Sequence, residues 1–361
     1  MNRYAIDVRW MVGSFRGMGR YAWQLIEPIK ERTVALAPSY TDGINLKSRF
    51  EGNSFFPYWE QIMQPNLAKE EKVDYLICPY NTAPLWVSKN TKVILVVHDL
   101  IYMKSFKELP LSVSLYQTLG RLYRRFVVPR VIGKADHIIT VSEYTKQEIE
   151  SNYPTKSTVT VIPNAVSSEW LQHEMLPLED RGNYFLTVAG EAPSKNLNRL
   201  IEAYSVYANS HKKPKRLKVV GIKATHHHAF QEVAKKYGVE GNVEFVGYIT
   251  NEQLISMYGH AKGFIFASLF EGFGIPLIEA MATGTPIACS NTTSLPEVVG
   301  DCGYQFSPFE IDEVAKAFIY LDQPAESLSK GVSLGLERVK QYSEQQISNK
   351  FTEFWATLDE K

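Results

Sequence analysis

The sequence predicts an α/β protein built from two doubly wound parallel-sheet domains, and three observations carry that prediction. Short β-branched runs at 93–97, 137–141, 159–162, 184–188, 217–220, 243–246, 263–267 and 286–289 alternate with amphipathic helical stretches. That order belongs to parallel strands covered by helices on both faces. The alternation proceeds to about Asn164, stops through the polar segment 167–183 and begins again. At 361 residues the chain also exceeds what one hydrophobic core usually serves. The expected organisation is a first domain over 1–166, a second over 167–340 and a C-terminal helix over 341–361 packing back on the first. A cleft lined by the carboxyl ends of the strands would separate the domains.

Composition narrows the classes. Hydrophobic residues make up 45% and charged residues 22%, ordinary values that set aside a disordered or fibrous chain. Net charge is zero, yet residues 1–165 hold 21 Lys and Arg against 15 Asp and Glu, leaving 18 against 24 for the rest. The first half therefore faces something anionic or docks on its acidic neighbour. Cys78, Cys289 and Cys302 are odd in number and too far apart in sequence for a zinc cluster, and Cys78 and Cys289 lie in apolar strand-like runs. A reducing, cytoplasmic setting is expected, with membrane contact only peripheral, at the inner face of the plasma membrane, because no signal-peptide core or long apolar span is seen.

In the first domain the apolar run 4–8 reads as the opening strand. Gly13-Ser14-Phe15-Arg16-Gly17-Met18-Gly19-Arg20-Tyr21 then leads into an amphipathic run over 21–29. A lone glycine loop suits either a tight turn or a close backbone approach to a ligand. His98-Asp99 follows the strand at 93–97, at the end where open α/β sheets place ligands. Between 104 and 134, Lys104, Lys107, Arg121, Arg124, Arg125, Arg130 and Lys134 interleave with Tyr116, Leu119, Leu122, Tyr123, Phe126 and Val127. Such a stretch fits an anionic membrane surface or a domain helix with a solvated basic face. Nothing in the chain reads as a nucleic-acid module.

In the second domain the most informative stretch runs from Ser268 to Pro286. Pro276 and Gly284 bracket a helix of about two turns, so Phe273, Gly274 and Ile275 sit at a helix N-terminus, where unpaired N–H groups and the helix dipole suit a phosphate. Gly272 and Gly274 allow close approach, while Glu271 and Glu279 offer carboxylates to neighbouring hydroxyls. The alternative is a glycine-rich loop with Glu279 complementing the helix dipole. At the C-terminus, Ser343 and Gln346 form a capping-box pattern ahead of Ile347, Phe351, Phe354, Trp355 and Leu358 on one helical face.

Two glutamates eight positions apart in this setting, followed by Ser294-Leu295-Pro296-Glu297-Val298-Val299-Gly300, resemble the signature of retaining GT-B glycosyltransferases of family 4. The resemblance covers nearly the whole chain and is most specific from Phe245 to Phe306. It implies a GT-B fold with two Rossmann-like domains and a metal-independent hexosyl transfer with no cofactor. It also implies that Glu271 holds the hydroxyls of the transferred sugar, Glu279 the ribose, and the backbone of Phe273, Gly274 and Ile275 the diphosphate. Gly247 and Tyr248 would border the nucleobase, or simply turn the strand into its loop. Gly17, Gly19 and Arg20 would approach the donor phosphates from the first domain. His98 would bind the sugar and assist catalysis, and Lys195 would meet charge building on the leaving diphosphate. The arginine that accompanies this lysine in relatives is missing, with Gly190 or Ser194 in its place. Arg16 or Arg20 would have to compensate, or turnover would be weaker.

The resemblance further implies a front-face reaction in which a departing diphosphate oxygen helps to deprotonate the acceptor. Within it the enzymes most similar in kind are mannosyl- or rhamnosyltransferases that build bacterial O-antigen or capsule, which favours GDP-mannose as donor and a lipid-linked saccharide or glycan as acceptor. No Asp-x-Asp motif is present to hold a divalent cation on the diphosphate. His226, His227 and His228 are adjacent and would point in different directions on a helix. Two rivals stay open: a sugar-nucleotide epimerase on the same scaffold, and a sugar-nucleotide binder without turnover.

Overall fold

The computed structural model describes residues 2–12, 17–109 and 115–360. The chain divides into two compact units, one of Met1–Ser105, Leu111–Ala165 and Gln345–Lys361, the other of Phe106–Pro110 and Val166–Glu344.

The first unit holds a parallel seven-stranded sheet of β1 (Tyr4–Asp7), β2 (Thr33–Ala37), β3 (Lys47–Phe50), β4 (Tyr75–Cys78), β5 (Lys92–Val97), β6 (His137–Thr140) and β7 (Val159–Val161). Their order is β3-β2-β1-β4-β5-β6-β7. The order reverses at β1 and β4, and ligands of such sheets gather beyond the carboxyl ends at this switch. The central strands are buried on both faces, which is why they read as unbroken apolar runs. Edge strand β3 is Lys-Ser-Arg-Phe and largely solvated, so its sequence carries no apolar signal. Helix Glu344–Asp359 belongs to this unit except for its first residue. It buries Ile347, Phe351, Phe354, Trp355 and Leu358, with the Trp355 indole donating to the Leu25 carbonyl at 2.7 Å.

The second unit repeats the plan with β8 (Tyr184–Val188), β9 (Arg216–Val220), β10 (Val243–Val246), β11 (Gly263–Phe266), β12 (Ile287–Ser290) and β13 (Gly303–Phe306). Their order is β10-β9-β8-β11-β12-β13, all parallel, with the switch at β8 and β11. Helices Leu197–Ser210 and Ile311–Leu321 cover one face through Tyr204, Tyr207 and Phe318, which pack with Phe185 of β8. Both segments that follow the switch strands, 189–196 and 267–274, therefore emerge side by side.

Candidate functional site

The two segments at the second switch point meet through side chains. Lys195 lies in a short 3₁₀ turn, Pro193–Lys195, after β8, and Glu271 lies in the loop after β11. The Lys195 ammonium donates to Glu271 Oε1 at 2.6 Å, both side chains being partly solvated. Beneath them Asn196 takes a left-handed conformation and its amide donates to the carbonyls of Ala267 and Pro308, while Leu269 N donates to the Ser194 carbonyl. The lysine and the glutamate thus sit on a backbone cross-linked between the two loops.

Beyond Glu271 the chain enters helix Ile275–Ala282, which no side chain caps. Gly274 is the N-cap with φ +112°, a conformation that L side chains rarely adopt, and a Cβ there would meet Leu295 Cδ2 at 2.7 Å. Buried Phe273 packs edge-on against Tyr342. Glu279, one turn into the helix, accepts from the hydroxyl of fully buried Tyr258 at 3.3 Å. Polar donors and two carboxylates therefore surround an open helix N-terminus, chemistry suited to a phosphate flanked by hydroxyl-rich groups. Gly247 lies just after β10 and its carbonyl accepts from Gly221 N, while Tyr248 is 67% exposed, an aromatic face free to stack on a ring.

The sequence pointed to Ser294 only as part of the family resemblance and not to Thr292 or Thr293, and together these three brace this loop. Thr292 Oγ1 donates to the Leu269 carbonyl at 3.1 Å, Thr293 Oγ1 accepts from Glu271 N at 3.2 Å, and Ser294 Oγ donates to the carbonyls of Glu271 and Phe273 at 3.1 and 2.9 Å. A run of three hydroxyl residues before a short helix was the available signal.

Of the two positions where the missing arginine was sought, Gly190 has open space around its Cβ direction, whereas Ser194 is buried. Arg16 lies outside the described residues. Arg20 is half-buried on helix Gly17–Ile26.

In the first unit Gly17 and Gly19 belong to the first turn of that helix rather than to the loop before it, a correction to the sequence reading. Gly19 has a packing reason of its own, since a Cβ there would stand 2.1 Å from the Trp10 carbonyl oxygen. His98 sits just past β5 and is 7% exposed. Its Nε2 donates to the Pro79 carbonyl at 2.9 Å, which leaves Nδ1 as the acceptor of the neutral ring. Burial pushes its pKa down to about 4, against a weaker opposing effect of the Pro79 carbonyl. Tyr21 packs edge-on against the ring at 5.1 Å, and Asn81, left-handed at φ +68°, accepts from His98 N at 2.6 Å. Asn81 was likewise not singled out from sequence, although Asn is among the few side chains that tolerate this conformation. Asp99 Oδ1 accepts from Ile101 N and shapes the loop.

The histidine run 226–228 lies on helix Ala224–Lys236, and no group of three candidate metal ligands occurs among the described residues. No helix among the described residues is long and apolar enough to cross a membrane.

Two family profiles match in tandem, "Glycosyltransferase Family 4" over residues 16–170 and "Glycosyl transferases group 1" over residues 168–328. The chain belongs to the group 1/family 4 glycosyltransferases. Among curated relatives it is 31% identical over 222 residues to O-antigen chain mannosyltransferase B of Escherichia coli, an alignment covering 59% of this chain and 58% of that protein. The chain thus spans less than two thirds of the curated relatives it matches. Among solved structures, sucrose-phosphate synthase from Thermosynechococcus elongatus superposes with a TM-score of 0.76 at 17% identity, covering 99% of both chains. Anabaena HepE in complex with UDP-glucose does so with a TM-score of 0.76 at 13% identity, covering 99% of this chain and 100% of the other. At these identities the structural likeness establishes the GT-B fold of this glycosyltransferase-family chain and nothing finer.

Proposed function

We propose that this chain transfers mannose from GDP-mannose to a lipid-linked saccharide or glycan acceptor in bacterial surface-polysaccharide synthesis, with retention of configuration and without a metal ion. The observation that carries the reading is the Lys195–Glu271 pair at 2.6 Å beside the uncapped helix that begins at Ile275. The mannose assignment rests on relatives named O-antigen chain and serotype-specific mannosyltransferases.

In this reading the second unit holds the donor. The diphosphate lies at the backbone of Phe273, Gly274 and Ile275, Glu279 takes the ribose, and Gly247 and Tyr248 border the guanine. Lys195 exchanges its contact with Glu271 for the leaving diphosphate, and Glu271 turns to the sugar hydroxyls. The bond between the anomeric carbon and the diphosphate oxygen breaks, the acceptor oxygen bonds on the same face, and its proton passes to the departing diphosphate. A cation placed where negative charge develops is the largest single aid such a site offers. Gly17, Gly19, Arg20 and His98 serve from the first unit, with His98 acting as a neutral hydrogen-bonding group rather than a cation.

The lipid-linked acceptor gains support from helix Leu115–Ile132. Its Leu119, Leu122 and Phe126 are about half exposed, with the Arg130 guanidinium 3.8 Å from the Phe126 ring centroid, and nearby Trp86 is 72% exposed with Lys134 over its ring. An apolar stripe edged by cations suits an anionic membrane surface.

The deciding experiment offers GDP-mannose, dTDP-rhamnose and a set of UDP-sugars, in EDTA, with a lipid-linked acceptor extract. Acceptor-dependent release of GDP is expected, and Glu271→Ala should lower kcat by about 10²-fold or more, the scale for removing a positioned polar group from such a site. Binding without turnover would favour the non-catalytic reading, for which the absent arginine speaks. Conversion of the sugar without acceptor would favour an epimerase.

A further inference from the structure

Three consecutive hydroxyl side chains, Thr292, Thr293 and Ser294, grip the loop that carries Glu271, and the middle one does so from a backbone conformation its type rarely takes. Thr293 has φ +54°. For a β-branched residue this is the left-handed region, where Cβ crowds the following carbonyl and glycine or asparagine is the ordinary occupant. Such strain persists where the surroundings over-determine it, and it gathers at sites where geometry matters.

The surroundings of Thr293 are specific. Its Oγ1 accepts from Glu271 N at 3.2 Å and donates its own proton to the Thr292 carbonyl at 2.8 Å, so the hydroxyl proton is committed and the lone pairs face Glu271. Ser294 Oγ, fully buried, holds the same residue's carbonyl at 3.1 Å, and the Phe273 carbonyl at 2.9 Å. Both backbone polar groups of Glu271 are therefore tied to adjacent hydroxyls, and the side chain projects from a fixed backbone toward Lys195. A glycine at 293 would take this φ without strain but could not accept the Glu271 amide.

We propose that Thr293 is a positioning residue whose hydroxyl presets the Glu271 carboxylate for the transferred sugar. The inference rests on the transferase reading of Glu271 and adds to it the residue that aims the carboxylate. Because Thr293 Oγ1 holds the backbone amide of Glu271 itself and not those of Phe273, Gly274 and Ile275, its hydroxyl should matter for the sugar and far less for the bare nucleoside diphosphate.

The test compares Thr293→Gly, Thr293→Ser and wild type by melting temperature, by Kd for GDP and for GDP-mannose, and by kcat and KM for GDP-mannose. Thr293→Gly should melt no lower than wild type and bind GDP within about twofold, yet lose about tenfold in kcat, the effect of one lost hydrogen bond of ordinary strength. Thr293→Ser should recover at least half of wild-type kcat. Full activity in Thr293→Gly, equal losses in both variants, or a matching loss of GDP affinity would each overturn the proposal. If wild-type protein turned over no donor, the transferase reading would fail by itself. The ratio of the Kd for GDP-mannose to that for GDP would then decide whether Thr293 aims Glu271, since Thr293→Gly should raise that ratio and Thr293→Ser should not.

Discussion

A buried imidazole without a carboxylate partner resists protonation, and His98 is such a group. Its pKa in the folded chain lies near 4, because burial penalises the charged ring more than the Pro79 carbonyl favours it. Above pH ~6.5 the ring is neutral whether the chain is folded or not, so it contributes no pH dependence. Below that, the unfolded ring takes a proton that the folded ring refuses until about pH 4, and stability falls by up to about 1.4 kcal/mol per pH unit across the window. Urea unfolding at pH 7 and 5 should show this slope in wild type and less of it in His98→Gln; equal slopes would contradict the neutral assignment. At Gly190 the question is charge. The position admits a side chain, so Gly190→Arg should fold and, if diphosphate charge limits turnover, raise kcat/KM for GDP-mannose several-fold, up to about tenfold for a new charge-assisted hydrogen bond. An unchanged kcat/KM would mean that another cation already serves.

Elements were legible where burial is two-sided or punctuation is strong. The strands at 93–97, 184–188 and 263–266 show as apolar runs because helices cover both faces, and helix Ile275–Ala282 shows through Pro276 and Gly284. Strands β2, β3 and β13 were not anticipated: β3 is a polar edge, and β13 is a half-exposed Gly-Tyr-Gln-Phe. The start of helix Gly17–Ile26 was placed too late because two glycines look like a loop, whereas Gly19 is there for close packing. Gly19→Ala should therefore cost about 1–3 kcal/mol or more, since the added methyl meets backbone rather than a side chain that can move. A melting temperature within a degree of wild type would refute that account. The basic stretch at 104–134 divides in a way that sequence could not reveal. Arg121 and Arg125 donate to carbonyls between Tyr102 and Lys104, and Lys104 pairs with Glu148, so these cations stabilise the unit internally. What is left for a membrane is the stripe of Leu119, Leu122 and Phe126 with Arg130 and Lys134. Leu122→Glu with Phe126→Glu should reduce sedimentation with phosphatidylglycerol vesicles at least tenfold while leaving GDP-mannose affinity unchanged, because neither residue is among the groups proposed to hold the donor. Unaltered sedimentation would remove the membrane surface from this helix.

For the whole molecule, the chain returns at its end to the unit in which it began, and that connection has a measurable consequence. Trp355 is buried, its indole donates to the Leu25 carbonyl, and its ring packs edge-on against Tyr4 of the first strand at 4.9 Å. Removing it deletes an aromatic from the first unit's core together with its hydrogen bond to the Leu25 carbonyl, a loss of about 3–5 kcal/mol. Most of the groups proposed to hold the donor, from Lys195 to Glu279, belong to the second unit, while Gly17, Gly19, Arg20 and His98 belong to the first. A ligand held chiefly by the folded form of one unit stabilises that unit most by mass action, and two units unfolding as separate cooperative blocks give no single unfolding free energy. Calorimetry of Trp355→Ala with and without GDP-mannose should then resolve two transitions, the lower one displaced downward by the substitution and the upper one raised by the ligand. If the two melted as one, and ligand restored what the substitution removed, the units would be thermodynamically coupled and the account of separate blocks would fail.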